Sequence, residues 1–167
     1  MRAHEILCES ATQVKESPGS QINTQTLSEL VKLVASGGEV SGNQVVANLR
    51  ASPSVAWAES DGKIVGLVAL KIPSSTYRDK VFSNAGVPEL ARRYKIERGY
   101  AYVIPEYRSA GIATQLRAKL KNAGPMYVTT REQNTIVNQS LVNSGFRQSG
   151  SPWLSSRGDY KLLLWVK

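Results

Sequence analysis

The chain alternates between helical and strand-like hydrophobic periods. Apolar residues recur at the helical spacing from Leu27 to Val34, which predicts a helix over residues 26–36 that ends at Gly37-Gly38. Ser41 is a favoured capping residue and predicts a second short helix after it. The polar stretch 10–23, with Pro18-Gly19, is predicted to be a loop.

The pattern then changes to strands. Residues 54–59 and 63–72 are apolar runs on either side of an Asp-Gly pair, which predicts a β-hairpin. Residues 74–95 predict a basic, mostly helical insert. Further strands are predicted at 96–105, 126–130 and 161–166. Further helices are predicted after Gly111, ending at Gly124-Pro125, and from Asn134.

Hairpins combined with crossover helices predict an α+β fold, with a single mixed, mostly antiparallel twisted sheet flanked by helices. The length of 167 residues suits one domain over residues 1–167, in which 74–95 is an insert between strands.

Composition narrows the function classes. A single cysteine, Cys8, and a single histidine, His4, argue against a disulfide framework and against a metal centre, so no metal is expected. The absence of a long apolar segment in the sequence predicts a cytoplasmic protein without a membrane partner. The net charge of +8 favours a polyanionic partner, although solubilising surface charge explains it equally well.

The stretch 107–116, YRSAGIATQL, places small residues just before an apolar, basic helix. The first amides of a helix are unsatisfied donors and bind anions well, especially where glycine lets a phosphate approach the backbone. Arg108 adds a full positive charge with forked donors. Neither a GKS/GKT sequence nor a GxGxxG turn accompanies it, which excludes a P-loop or Rossmann site.

This stretch resembles the motif of the GNAT superfamily of acyl-CoA-dependent N-acyltransferases: arginine or glutamine, two residues, glycine, one residue, then glycine or alanine. Residues 108–113 match it, and Val103-Ile104-Pro105 resembles the end of the family's fourth strand. Asn134 and Gly145-Phe146 are similar to its next signature, with the same spacing. The resemblance covers residues 54 to about 166.

The resemblance implies the GNAT fold with splayed central strands, and acetyl-CoA as the co-substrate. The backbone at 108–113 would hold its pyrophosphate, and the pantetheine would pair with the edge of strand 99–104. A backbone amide near Val103 or Ile104 would bind the thioester oxygen. Asn134 would contact the cofactor arm, although asparagine is also a favoured helix cap. The expected cofactor-binding residues are Val103, Ile104, Arg108, Ser109, Ala110, Gly111, Ile112, Ala113, Thr114 and Asn134.

Direct transfer to an amine needs a base, and many relatives carry a glutamate at the place of Glu97. On a regular strand Glu97, Gly99, Ala101 and Val103 share one face, which leaves room for an amine beside the carboxylate. The alternative is a solvated glutamate paired with Lys95 or Arg98. The family's usual general acid, a tyrosine, is replaced by Leu141.

The resemblance therefore implies an N-acetyltransferase that acts on a primary amine, with Glu97 as its catalytic residue. Basic and aromatic residues interleave in the insert 74–95, which favours an acceptor on an anionic framework such as tRNA, a nucleobase or a nucleotide sugar. The alternative for the insert is a helical lid whose charges face water. The alternative for the protein is a degenerate acyl-CoA-binding or nucleic-acid-binding module. A homodimer is one option for the oligomeric state.

Overall fold

The computed structural model describes residues 11–38, 42–121 and 124–167. His4, Cys8 and the predicted cap Ser41 lie outside these residues. The described part contains seven strands: β1 (Gln13–Ser17), β2 (Ser54–Ser60), β3 (Lys63–Lys71), β4 (Ile96–Val103), β5 (Met126–Arg131), β6 (Arg147–Leu154) and β7 (Lys161–Val166). Its α-helices are α1 (Thr24–Ser36), α2 (Gly42–Ala51), α3 (Ser75–Asn84), α4 (Ile112–Lys119) and α5 (Thr135–Asn143).

The strands form one sheet in the order β1-β2-β3-β4-β5-β7-β6. The neighbouring strands are antiparallel except for β4 and β5, which are parallel. This arrangement confirms the predicted mixed, mostly antiparallel sheet. The predicted hairpin is present, with Asp61 at φ 52° and Gly62 at φ 71°, as a tight turn between antiparallel strands requires.

Helices cover both faces of the sheet. On one face, which we call the α1 face, α1 and α2 pack through Leu30, Leu33 and Leu49 onto β2 and β3. On the same face, α3 packs over β5 and β7, with Phe82 against Tyr127. On the opposite face, which we call the α4 face, α4 packs onto β2 and β3, and α5 packs onto β5 and β7. On each face of the sheet, β4 therefore lies between the helix or helices that pack onto β2 and β3 and the helix that packs onto β5 and β7.

The insert 74–95 is helical, as predicted, and consists of α3 and a 3-10 segment at Pro88–Arg92. Val81 and Phe82 are buried, and Val87 and Leu90 pack against the same core cluster. The side chains of Lys80, Arg92, Arg93 and Lys95 are exposed. The apolar residues of the insert thus anchor it to the sheet, and these four charges face water.

Three predictions of element bounds were wrong. The predicted loop 10–23 contains β1, and residues 147–154 form β6, which was not predicted. Both are edge strands with mostly polar sequences, so their partners rather than their own periodicity define them. The helix after Gly111 ends at Lys119, earlier than the predicted stop at Gly124.

Candidate functional site

A cleft opens between the two parallel strands at the centre of the sheet. β4 and β5 pair only at Ile96↔Met126 and Glu97↔Tyr127, although β4 continues to Val103 and β5 to Arg131. Among the described residues, no strand therefore pairs with this edge of β4 from Arg98 onward. The pairs at residues 96 and 97 mark the closed end of the cleft, and the predicted splay of the central strands is confirmed.

Strand β4 is irregular where the cleft begins. Its register with β3 shifts between Leu67↔Tyr102 and Ala69↔Gly99, so β4 has one extra residue there and forms a β-bulge. Tyr100, within the bulge, has φ 53°, an uncommon value for a residue with a side chain. The hydroxyl oxygen of Tyr100 accepts a hydrogen bond from Nδ2 of Asn48 at 2.7 Å, which links the bulge to α2.

The bulge overturns the prediction that Glu97, Gly99, Ala101 and Val103 share one face. Glu97 and Gly99 lie on the α1 face, opposite Lys71 and Ala69. Val103 lies on the α4 face, where its side chain packs with Ile112 and Leu116. The extra residue reverses the alternation of side chains, so only Gly99 remains as a small neighbour of Glu97 on its face.

The directions of the backbone amides at the end of β4 decide which of them is free to bind a thioester oxygen. The N–H of Ile104 donates to the carbonyl oxygen of Val65 at 2.9 Å, so it is not free to bind a thioester oxygen, and that expectation is corrected. Backbone groups of successive strand residues point to opposite sides, so Val103 directs its N–H and carbonyl toward the cleft. The Val103 carbonyl accepts a hydrogen bond from Nε of Arg108 at 2.9 Å.

The loop between β4 and α4 forms a concave cradle of backbone amides. A 3-10 turn at Pro105–Tyr107 leads to Ser109 at φ 67° and Gly111 at φ 75°, and α4 begins at Ile112. Among the described residues, the amides of positions 109–114 have no intramolecular hydrogen-bond acceptor. The loop encloses a concavity of about 240 Å³ lined by Val103, Tyr107, Arg108, Ser109, Gly111, Ile112, Ala113 and Thr114.

The cradle brings together most of the predicted cofactor-binding residues, but Asn134 is elsewhere. Asn134 is exposed and caps α5, with its Oδ1 accepting from the N–H of Val137 at 3.4 Å. The capping role considered from the sequence is therefore present. The Nδ2 group of Asn134 has no partner within the described part of the chain, which leaves it available to a ligand.

Glu97 is buried, with 4% of its surface exposed, and its Oε2 lies 3.0 Å from Nζ of Lys71. The solvated glutamate paired with Lys95 or Arg98 is therefore not what the structure has. The Lys71 side chain crosses over Gly99, where an added Cβ would lie 2.5 Å from its Cε, and Nζ is 4.6 Å from the centre of the Tyr100 ring. Sequence reasoning missed Lys71, because only the strand register brings it to Glu97.

Tyr127 is the tyrosine paired with Glu97 in the strand register, and it is a poor candidate for the missing proton donor. Tyr127 is fully buried, and its hydroxyl has no hydrogen-bond partner among the residues that the structure describes. Burial and, secondarily, the nearby Glu97 carboxylate raise the pKa of Tyr127 well above its ordinary value, so it donates a proton poorly. Leu141, at the family's usual tyrosine position, is buried in an apolar cluster with Val128 and Phe146.

No helix of the described residues has both the length and the apolar character of a membrane span. The same residues also contain no group of three or more histidine, cysteine, aspartate or glutamate side chains placed to hold a metal ion.

Several solved structures resemble this chain over nearly its whole length. One is a GNAT-family acetyltransferase from Bacillus cereus, with 13% identity, a TM-score of 0.63, and coverage of 94% of this chain and 96% of that chain. Another is Arabidopsis thaliana NAA60 in complex with acetyl-CoA, with 16% identity, a TM-score of 0.65, and coverage of 93% and 99%. A third is an acyl-CoA N-acyltransferase from Pseudomonas aeruginosa, with 12% identity, a TM-score of 0.62, and coverage of 94% and 99%.

No protein-family model and no curated protein matches the sequence. At such low identity the structural likeness establishes the fold alone, and the chain has the GNAT fold.

Proposed function

We propose that this protein is an N-acetyltransferase that transfers an acetyl group from acetyl-CoA to a primary amine by direct attack. The observation that supports it best is the conjunction of an unpaired β4 edge with a cradle of free amides at its end. A diphosphate suits the cradle, because helix N-terminal amides and the helix dipole favour anions. The uncharged arm of the co-substrate suits the open strand edge, which offers backbone donors and acceptors.

In this proposal the backbone of residues 108–114 binds the diphosphate and Asn134 contacts the cofactor arm. The N–H of Val103, which alternates with that of Ile104 and so points into the cleft, stabilises negative charge on the thioester oxygen during attack in this proposal. Glu97 lies at the closed end of the cleft and takes the proton of the attacking amine. Its ion pair with Lys71 holds the carboxylate in place on the α1 face, from which the amine would enter.

The acceptor class is proposed from the insert 74–95. Lys80, Arg92, Arg93 and Lys95 are exposed beside the α1 face, and Arg93 lies 5.5 Å from the centre of the Tyr94 ring. These charges favour an amine carried on an anionic framework such as tRNA, a nucleobase or a nucleotide sugar. The cytoplasmic location and the homodimer stay predictions.

A second candidate is a binding module with little catalysis, either for acyl-CoA or for nucleic acid. Two observations favour it. Leu141 is buried at the position where the family usually has its general acid, and Lys71 forms an ion pair with the Glu97 carboxylate. A fold by itself does not determine activity.

Calorimetry with acetyl-CoA, followed by measurement of free thiol over a panel of amines, tests the proposal. Micromolar binding with thiol release on at least one amine supports the acetyltransferase. Binding without release on any amine supports the binding module. No detectable binding of acetyl-CoA would overturn both acyl-CoA functions.

A further inference from the structure

Two arginines lie on the α4 face, and neither has an acidic partner in the part of the chain that the structure describes. Arg98 is the first residue of β4 beyond the closed end of the cleft, and its guanidinium lies 4.6 Å from the centre of the Phe146 ring. Arg117 of α4 donates from Nη2 to Thr114 Oγ1 and to Ser140 Oγ, both at 3.2 Å. Both side chains are half-buried, and neither forms an ion pair with any acid in the described ranges.

No acidic side chain of the described residues compensates the charge of this arginine pair. Burial and the charge of Arg117 lower the pKa of Arg98 to about 10, and burial lowers the pKa of Arg117. Helix α5 has no titratable residue, α4 adds only the exposed Lys119, and β5 presents Met126 and Val128 on this face. Lys167 Nζ lies 5.7 Å from the centre of the Phe146 ring, and Glu97 with Lys71 is on the opposite face.

Two half-buried cations that repel each other destabilise the ligand-free protein unless an anion offsets them. The pair lies between α4 and α5, toward the closed end of the cleft. Thr114, which Arg117 contacts, lines the cradle, and Phe146, which Arg98 covers, belongs to the same core cluster as Leu141. The pair therefore lies beside the place left without a proton donor.

Acyl transfer from a thioester produces an anion inside the cleft. The amine nitrogen forms a bond to the carbonyl carbon, the carbon–sulfur bond breaks, and its electron pair stays on sulfur. The amine proton goes to Glu97, and the thiolate later takes a proton from water. A positive charge near sulfur lowers the pKa of a thiol and makes the thiolate a better leaving group.

On the basis of the proposed function, we propose that Arg98 and Arg117 stabilise the leaving CoA thiolate electrostatically, in place of a general acid. The neutral thioester of the ground state gains little from these charges, whereas the transition state and the thiolate product gain much. Such an interaction accelerates the chemical step without tightening the binding of acetyl-CoA.

The test compares the binding of CoA with that of desulfo-CoA, which lacks the sulfur, between pH 7 and pH 9. Both molecules carry the same phosphates, so the ratio of their affinities isolates the thiol. Wild-type protein should prefer CoA by a factor that rises with pH and approaches about tenfold above the pKa of the free thiol, because a cation within reach lowers a pKa by about one unit or more. Arg98 stays charged throughout, since its pKa is about 10.

Arg98→Met and Arg117→Met should each remove most of this preference and leave desulfo-CoA affinity unchanged. They should also lower kcat about tenfold with little change in acetyl-CoA affinity. Lys32→Met removes an exposed charge from α1 on the other face and should keep the full preference. Methionine retains the length of the arginine stem, and either of the two variants suffices if the other does not fold.

Equal CoA and desulfo-CoA affinities in wild-type protein would overturn the thiolate role. A parallel loss of both affinities in the arginine variants would also overturn it, because the pair would then hold the body of the cofactor. If wild-type protein binds neither acetyl-CoA nor desulfo-CoA, the proposed function itself fails.

Discussion

Gly111 lies at φ 75° where the cradle enters α4, and a Cβ added there would project into open space. In the proposed complex that space holds the diphosphate. Gly111→Val should therefore weaken acetyl-CoA binding by about a hundredfold or more, equivalent to about 3 kcal/mol. Isothermal calorimetry measures this loss directly.

The variant also places a branched side chain at a positive φ, which costs roughly 1–2 kcal/mol in the folded state. Gly62 is the matched control, because it has φ 71° in the hairpin turn and equally open surroundings. Gly62→Val should lose similar stability and bind acetyl-CoA normally. Normal binding by Gly111→Val would show that the cradle is not the diphosphate site.

Glu97 is proposed to accept the amine proton, so Glu97→Gln should lower turnover about 10²–10⁴-fold and change acetyl-CoA affinity little. The variant also leaves Lys71 without its partner, and breaking a buried pair destabilises a protein. Thermal unfolding should accompany the kinetic measurement, so that the two effects are separated at a temperature where the variant is folded.

Glu59→Gln serves as the control, because it breaks the surface pair between Glu59 and Lys15, whose atoms are 2.7 Å apart. The hydrogen bond from Lys15 is the main cause that lowers the pKa of Glu59, so this pair contributes stability above the ordinary carboxyl pKa and loses it as the pH falls. The control should not change turnover. An unaltered rate in Glu97→Gln would assign the proton to another group.

At this scale the sequence could identify the cradle but not the partners of its charges. Residues 108–113 are contiguous, so a local sequence motif is enough to identify them. Lys71 meets Glu97, and Arg98 approaches Arg117, only through strand register and helix placement. The bulge at Tyr100 decides which side chains face the amine, and nothing in the alternation of residues 96–103 indicates it.

Helix α5 starts at an asparagine with two separable roles. Asn134 caps the helix through Oδ1, and its Nδ2 is available to the cofactor arm. Serine also caps helices well but cannot reach as far with a donor. Asn134→Ser should thus preserve thermal stability and weaken acetyl-CoA binding about fivefold, the value of one hydrogen bond of about 1 kcal/mol.

Asn23 at the start of α1 provides the comparison, since its Oδ1 accepts from the N–H of Thr26 at 2.8 Å in a plain cap. Asn23→Ser should change neither stability nor acetyl-CoA affinity by a measurable amount. If Asn134→Ser binds acetyl-CoA as tightly as wild-type protein, the asparagine is a cap only.

Elements whose own sequence has a clear hydrophobic periodicity could be predicted from the sequence, whereas the edge strands could not. α1 and the β2–β3 hairpin carry apolar patterns and turn residues that specify them locally. β1 and β6 lie at the two edges of the sheet and are largely polar, and β6 includes Gly150 and Pro152. Such strands exist because a neighbouring strand offers its hydrogen bonds, which is information that a local window does not contain.

The whole molecule carries a net charge of +8, and the question is whether this charge is concentrated on one surface or spread over the protein. A general excess of lysine and arginine attracts polyanions weakly and without a preferred face, whereas a localised cluster defines a binding surface. The insert 74–95 concentrates exposed cations at one side of the proposed amine entrance, since α3 packs on the α1 face.

Two double variants with equal net charge separate these possibilities. Arg92→Glu with Lys95→Glu reverses two exposed cations of the insert, and Lys32→Glu with Lys63→Glu reverses two exposed cations outside it. If the insert contacts an anionic framework, the first variant should bind tRNA at least tenfold more weakly at 50 mM salt and show a shallower dependence on salt, by about one unit of slope for each lost phosphate contact. The second should stay close to wild-type protein in a gel-shift or anisotropy titration. Equal weakening in both variants would assign the attraction to net charge, and the absence of tRNA binding by wild-type protein would remove nucleic acid from the proposed acceptors.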